Sequence, residues 1–528
     1  MSAEVMETRR SRSSIGGGFG IEIAASMAVL LAIAFVPLLL FPYPGLQDYP
    51  NHLARAFILL NQDDPVLAKL YGVQWTTIPN LGWDLWAVAV GRLLPLEWTG
   101  KLYLALSSAA IMAGCFALNR AVALRWTIAP LLAVPFLFNA GFARGFLNFE
   151  LGAGCALLAA AWWVWSGKMH WLPRLLLATI CCTTLYTIHL YAWAFYGLFV
   201  LGYELQQMVE RREPRPALFL ARLVRDGLQA APVPFMLFFS HDSSSAQEAT
   251  VRAFQFPFVR IFHVQHLIDL GHPVVNCILV VIFALIVGAA VARLRWFEVR
   301  RNYAFPIALS VALFFLLPDQ IGETFYVAWR VLLLAVLVAI ASLVPTKEGE
   351  ARSRQIAIGI AMLTIAISAA NTWSWRNAER GREAFIELTR DIPDGSAVFV
   401  VHSGMRPPQL RAIGLYHVGA FAVLTKRALV QSMFALPGQQ PLRFRDQWMA
   451  TAPRSSFTFL ADAKREFRKY DADLASHLLH FDYVVIHGPD NGDDLLSLSQ
   501  RHLALIRKSE GFRLYRVDRK PLTAETTR

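Results

Sequence analysis

The chain has 528 residues, of which 55% are hydrophobic and only 17% charged. The charges lie in blocks between long apolar runs, which excludes an ordinary soluble protein and describes a polytopic helical membrane protein. The formal net charge of +12 does not point to nucleic acid, because the arginines cluster in short loops beside apolar runs, where topology control and lipid headgroups account for them.

Arg9, Arg10 and Arg12 precede the first apolar run, 21–41. That run is long enough to span a bilayer and has no clear small-residue cleavage site, so it reads as a retained signal-anchor behind a cytoplasmic tail. Scanned with a window of about 19 residues, the chain shows further runs near 101–121, 126–143, 146–166, 172–189, 190–207, 227–240, 273–293, 303–318, 326–344 and 355–371. With the N-terminus inside, the basic loops 206–226, 293–302 and 345–354 all fall on the inner side, which places the residues after 371 outside. Cys115, Cys155, Cys181, Cys182 and Cys277 all lie in apolar runs and read as small buried hydrophobes, with neither a disulfide framework nor a metal knuckle.

The first outer loop, 42–100, carries the densest chemistry. Asp48, His52 and Arg55 lie within eight residues, directly after a span. Such a charge load is costly beside lipid and is usually retained for function. Asp48 is the candidate catalytic carboxylate, and its alternative role is to cap the helix that begins at Tyr49-Pro50. His52, four residues on, shares its face and is a candidate to orient it or hold a metal, against a plain interfacial histidine. Two amphipathic helices are expected, at 49–60 and 81–94, the second lying in the interface with Trp83 and Trp86 as anchors and an extended stretch, 74–80, between them. Asp84 opens the second helix, where a carboxylate also opposes the helix dipole. Arg144 and Arg330 border later spans on the outer side, against the basic-inside trend. His189 sits near a span end. His263 and His266 have a metal-pair spacing without a clear third ligand. Beyond 371, strands are expected at 398–401, 483–486, 504–507 and 512–517, with helices at 378–389 and 459–469, forming a small α/β module. Asp471, Asp473, Asp490, Asp493 and Asp494 lack calcium-loop spacing.

A first span, an outer Asp, two interfacial helices in one long loop, a many-span bundle and an outer α/β tail together resemble the GT-C superfamily of membrane glycosyltransferases, of the mannosyltransferase and aminoarabinose-transferase kind. The pieces that carry the resemblance are Asp48 to Arg55 (DYPNHLAR), Pro79 to Asp84 (PNLGWD), Gly145 to Glu150 (GFLNFE), and Glu323 with Arg330. Many members carry a paired acidic motif in the first loop; here Asp48 is followed by Tyr49. The resemblance implies a polytopic all-α membrane bundle of about 11 transmembrane helices with a C-terminal extracytoplasmic α/β domain. Its parts would be a tail at 1–20, a transmembrane domain at 21–371 that includes the loop 42–100, and the α/β domain at 372–528. It also implies sugar transfer from a polyprenyl-phosphate-linked donor to an outer-face acceptor. Asp48 would be the general base, and His52, Arg55, Asp84, Arg144, Asn148, Glu323 and Arg330 would be substrate-binding. Arg is well shaped for phosphate oxygens. No cofactor follows with certainty, and a divalent metal is left open. The other partners expected are membrane lipids. Three rival readings stand beside this one. A flippase of lipid-linked glycans predicts mid-span charges and inverted repeats. A non-catalytic scaffold would bind through its outer tail. A ligase-like enzyme would place its key Arg and His in 241–272.

Overall fold

A computed structural model of the chain describes residues 3–211, 216–240, 251–252, 257–321, 324–404, 413–435, 438–449, 451, 458–460, 462, 474–489 and 502–519. Its helices include α1 (Ala3–Leu40), α2 (Tyr49–Leu60), α3 (Gly82–Val90), α4 (Leu96–Ala123), α5 (Leu147–Trp165), α6 (Trp171–Ile188), α7 (Leu190–Arg211), α8 (Pro273–Ala292), α9 (Ala304–Leu316), α10 (Val327–Ala341) and α11 (Ser353–Leu388). The strands used below are β1 (Tyr71–Val73), β2 (Ala397–His402), β3 (Leu429–Val430), β4 (Leu442–Phe444), β5 (Tyr483–His487), β6 (Leu503–Ser509) and β7 (Phe512–Val517). The chain forms two compact units. The first is Met1–Leu39, Leu102–Phe142 and Phe146–Asn371; the second is Leu40–Lys101, Ala143–Gly145 and Thr372–Arg528.

Among the described residues, six helices are long and apolar enough to cross a membrane: Gly20–Leu40, Leu96–Ala123, Leu147–Lys168, Trp171–Ile188, Pro273–Ala292 and Ser353–Leu388. Each covers one of the runs read from the sequence. The runs 303–318 and 326–344 fold as the shorter apolar helices α9 and α10. The run 126–143 opens instead as a 3-10 helix, Ala129–Phe138, because Pro130 and Pro135 supply no backbone donor to an α-helical ladder. The run 227–240 divides into a 3-10 turn, Leu228–Ala230, and a helix, Pro232–Ser240. Within the first unit, α4 and α5 approach closely at Gly154, where a Cβ would lie 2.6 Å from the Ala110 backbone; small residues permit this kind of helix contact in a bilayer. On α8, by contrast, Val274, Ile278, Val281, Ile282, Leu285 and Ile286 are all exposed. An apolar surface of that extent suits lipid and not water. The chain is a membrane protein.

The second unit is built on a five-stranded sheet of order β6-β7-β5-β2-β3. β5, β2 and β3 run parallel, and β6 and β7 form an antiparallel hairpin at one edge. The four strands read from the sequence are β2, β5, β6 and β7. β2 is buried at every position, as its uninterrupted apolar run requires of a strand flanked by parallel neighbours. The β6–β7 turn uses Glu510 and Gly511, both at positive φ, the twist a two-residue hairpin needs. The helix expected at 378–389 is the continuation of α11, and that expected at 459–469 lies mostly outside the described residues, as do Asp471, Asp473, Asp490, Asp493 and Asp494.

The first-loop segment belongs to this same unit. β1 pairs antiparallel with β4, Tyr71 facing Phe444 and Val73 facing Leu442. The Tyr71 hydroxyl donates to the Ala428 carbonyl at 3.0 Å and accepts from the Val430 amide at 3.1 Å. Ala54, Ile58, Leu67 and Leu70 share one apolar core with Phe399, Val401, Leu429 and Val485. Burying apolar area from two distant segments stabilises both at once.

At the carboxyl ends of β2 and β5, His402 and His487 face each other in register, their Nδ1 atoms 2.8 Å apart. His402 Nε2–H donates to the Tyr416 carbonyl at 3.1 Å, so its Nδ1 accepts from His487 Nδ1–H. Burial, reinforced by the neighbouring His487, pushes His402 down to about 3, and burial pushes His487 down to about 4. Unfolded histidines bind protons below about 6.5 while these do not. Their contribution is therefore complete above pH 6.5 and is lost as pH falls toward the folded values. Thermal melts are expected to show a loss on the order of 5 kcal/mol between pH 6.5 and 4, and His487→Gln should flatten that slope.

Candidate functional site

Asp48 stands at the N-cap position of α2, yet its side chain makes no capping bond. Pro50 in the first turn lacks a backbone donor, which removes one group a cap would satisfy. The carboxylate is directed elsewhere. Gln47 Nε2 donates to Asp48 Oδ1 at 3.1 Å, and His417 Nε2 lies 3.4 Å from the same oxygen. The backbone beneath is pinned, with the Asp48 amide donating to the Arg144 carbonyl at 2.9 Å and the Gln47 amide to Ala143 at 3.1 Å. Gly145, next in that segment, has φ +74°, and a Cβ there would lie 3.1 Å from the Tyr49 nitrogen and 3.3 Å from that of Asp48. Gly145→Ala is therefore expected to lower unfolding stability by about 1–2 kcal/mol and to displace Asp48, read as a lower melting temperature together with lost activity.

Two turns along α2, Arg55 Nε and Nη2 reach Asp84 Oδ1 and Oδ2 of α3 at 2.6 and 3.2 Å. Both side chains are buried, at 1% and 0% exposed. Burial pushes the Asp84 carboxyl up, and the Arg55 guanidinium opposes that rise. Arg55 Nη2 also lies 3.2 Å from His52 Nδ1. Burial, then the Arg55 charge, holds His52 well below the usual histidine range, so it is neutral at pH 7 and Nδ1 accepts. Trp83 Nε1 donates to the His52 carbonyl at 2.9 Å. Asn51 Nδ2 donates to the Ser432 carbonyl at 3.0 Å, across 381 residues of sequence. Phe434 packs edge-on against both His52 and His417.

The second unit thus gathers Asp48, His52, Arg55, Asp84 and the backbone of Arg144. Arg55 and Asp84 are engaged with each other, and it is His417, not His52, that meets Asp48. His417, Phe434 and Ser432 escaped the sequence reading because nothing local marks them; their partners in α2 lie far away in the chain.

The first unit holds Asn148 and Arg330. Arg330, buried on α10, stands 3.3 Å from His189 Nε2 and over the rings of Phe146, Phe149 and Tyr191, at 4.6, 5.2 and 4.8 Å. A cation among aromatic faces is stabilised there. The helix break between α6 and α7 at His189, which is extended, delivers that imidazole. Tyr326, just before α10, adopts the left-handed conformation, a strained choice for a bulky residue. Asn148 Oδ1 accepts from the Tyr103 hydroxyl at 3.1 Å. Glu150, noticed in the sequence only as part of a motif, is buried and accepts from Asn139 Nδ2 at 3.2 Å. His263 lies 3.7 Å from Asp319. Glu323 lies outside the described residues, and among those described no three His, Cys, Asp or Glu side chains converge in a way that could hold a metal ion.

No family model and no curated protein sequence matches the chain. Solved structures do. The crystal structure of ArnT from Cupriavidus metallidurans in the apo state superposes with a TM-score of 0.51 at 14% identity, covering 94% of this chain and 98% of that one. The structure of ArnT from the same organism bound to undecaprenyl phosphate gives 0.51 at 13% identity, covering 93% and 97%. The match covers nearly the whole chain, and the chain therefore has the fold seen in those ArnT structures.

Proposed function

We propose that this protein is a membrane glycosyltransferase that moves a sugar from a polyprenyl-phosphate-linked donor to an acceptor hydroxyl at the outer face of the cytoplasmic membrane. The N-terminus would be cytoplasmic and the α/β module outside, following the basic inner loops. The observation that carries the reading is Asp48: it sits at a helix cap, does not cap, and among the described residues makes no hydrogen bond through Oδ2. A carboxylate fixed at one oxygen with the other open suits a general base. In the reaction, Asp48 takes the acceptor hydroxyl's proton as that oxygen bonds to the anomeric carbon. The bond from that carbon to the phosphate oxygen breaks, and the polyprenyl phosphate leaves with the electron pair. This is in-line displacement with inversion. Arg144, on the segment whose carbonyls pin the Asp48 backbone, is assigned to the anionic group of the donor. Arg55 and Asp84 hold α2 and α3 together and position Asp48. Undecaprenyl phosphate, the lipid bound in the second ArnT structure, is of the polyprenyl-phosphate class that leaves in the step proposed here.

The test is transfer of radiolabelled sugar from a panel of polyprenyl-phosphate donors by the purified protein in proteoliposomes. Label moving to an acceptor supports the reading. Label that stays on its lipid but appears in the opposite leaflet overturns it in favour of a flippase, and label that does neither leaves a scaffold.

A further inference from the structure

We infer that His417 is the positioning residue of the catalytic base, so that the α/β module completes the machinery carried by the first loop. His417 is 7% exposed and precedes the 3-10 turn Val418–Ala420. Its ring is fixed between Tyr416, at 4.8 Å, and Phe434, at 5.2 Å. Nε2 faces Asp48 Oδ1 at 3.4 Å, while Nδ1 is buried with no hydrogen-bond partner. A buried N–H left without an acceptor is rarer and costlier than a buried lone pair. The proton therefore sits on Nε2, the nitrogen beside the carboxylate, and Nδ1 is the bare nitrogen. Gln47 and His417 address the same oxygen, which leaves Oδ2 for the acceptor. A separation of 3.4 Å is long for a hydrogen bond, as contacts of catalytic groups often are before substrate binds. His52, the histidine closest in sequence, is instead held by Arg55 and leaves this role open.

The role in catalysis rests on the glycosyl-transfer reading; the contact and its tautomer do not. Two measurements on the full-length protein separate them. In ¹⁵N-histidine-labelled protein, His417 is expected as the Nε2–H tautomer, with a resonance that moves in Asp48→Asn. A Nδ1–H tautomer, or a resonance indifferent to Asp48, overturns the inference whatever the enzyme does. In the transfer assay, His417→Phe keeps the ring contacts but loses the donor, and should lower kcat about 10- to 100-fold, the scale set by a small misplacement of a reacting group, with the donor KM changed less than about twofold. His417→Gln, which offers an amide donor near the Nε2 position, should recover much of that loss. Wild-type kcat in His417→Phe overturns the role, as does a loss that Gln does not recover.

Discussion

Asp48→Asn is expected to lower kcat by about 10²- to 10⁴-fold, the usual worth of a positioned general base, while leaving the melting temperature where it is. The two halves of that result have one structural origin. Because the Asp48 side chain makes no capping bond, its substitution removes no local support from α2. The amide keeps the shape and the contact with Gln47 but has no affinity for the acceptor's proton. Initial rates and melting curves on the same preparation decide the matter. A rate within about threefold of wild type, well short of the range for lost acid–base catalysis, would remove Asp48 as the base while leaving the fold assignment intact.

The second large effect is on stability. Arg55 and Asp84 form a bidentate pair with almost no exposure, and removing one partner strands the other charge away from water. Arg55→Met or Asp84→Leu should each cost about 3–5 kcal/mol, whereas the two combined should come back to within about 1 kcal/mol of wild type or exceed it. Denaturant unfolding of the four proteins gives the coupling directly. If the single variants prove as stable as the parent, the pair is not what holds α3 against α2. Activity of the double variant then shows whether the pair matters to Asp48 beyond stability, since Arg55 also contacts His52 in the same turn.

The two expectations differ in kind. The Asp48 variant should fold and fail to react; the Arg55 and Asp84 single variants should fold poorly, and their activity should track their folded fraction. Measuring rate per folded molecule keeps a binding role for Arg55 apart from a structural one. A variant of Arg55 that is fully folded yet binds donor weakly would return it to the substrate-binding set.

Residue chemistry and local spacing were enough to determine the membrane class, most of the apolar helices, four of the five sheet strands and the weight placed on Asp48. These follow from short-range rules: a run of about 20 apolar residues spans a bilayer, and a charged cluster next to such a run is expensive unless used. The same rules see proline but not its full consequence, so 126–143 read as an ordinary span while Pro130 and Pro135 made its first part a 3-10 helix. Tertiary structure alone decided who meets whom. It paired Arg55 with Asp84, two residues that looked separately like binding groups, and brought Tyr71 onto Phe444 and Asn51 onto Ser432. It also put His417 rather than His52 on Asp48. Contacts of such sequence separation leave no periodicity to read, because they are selected by burial of a shared core and satisfaction of buried polar groups, conditions met only once the chain has closed on itself.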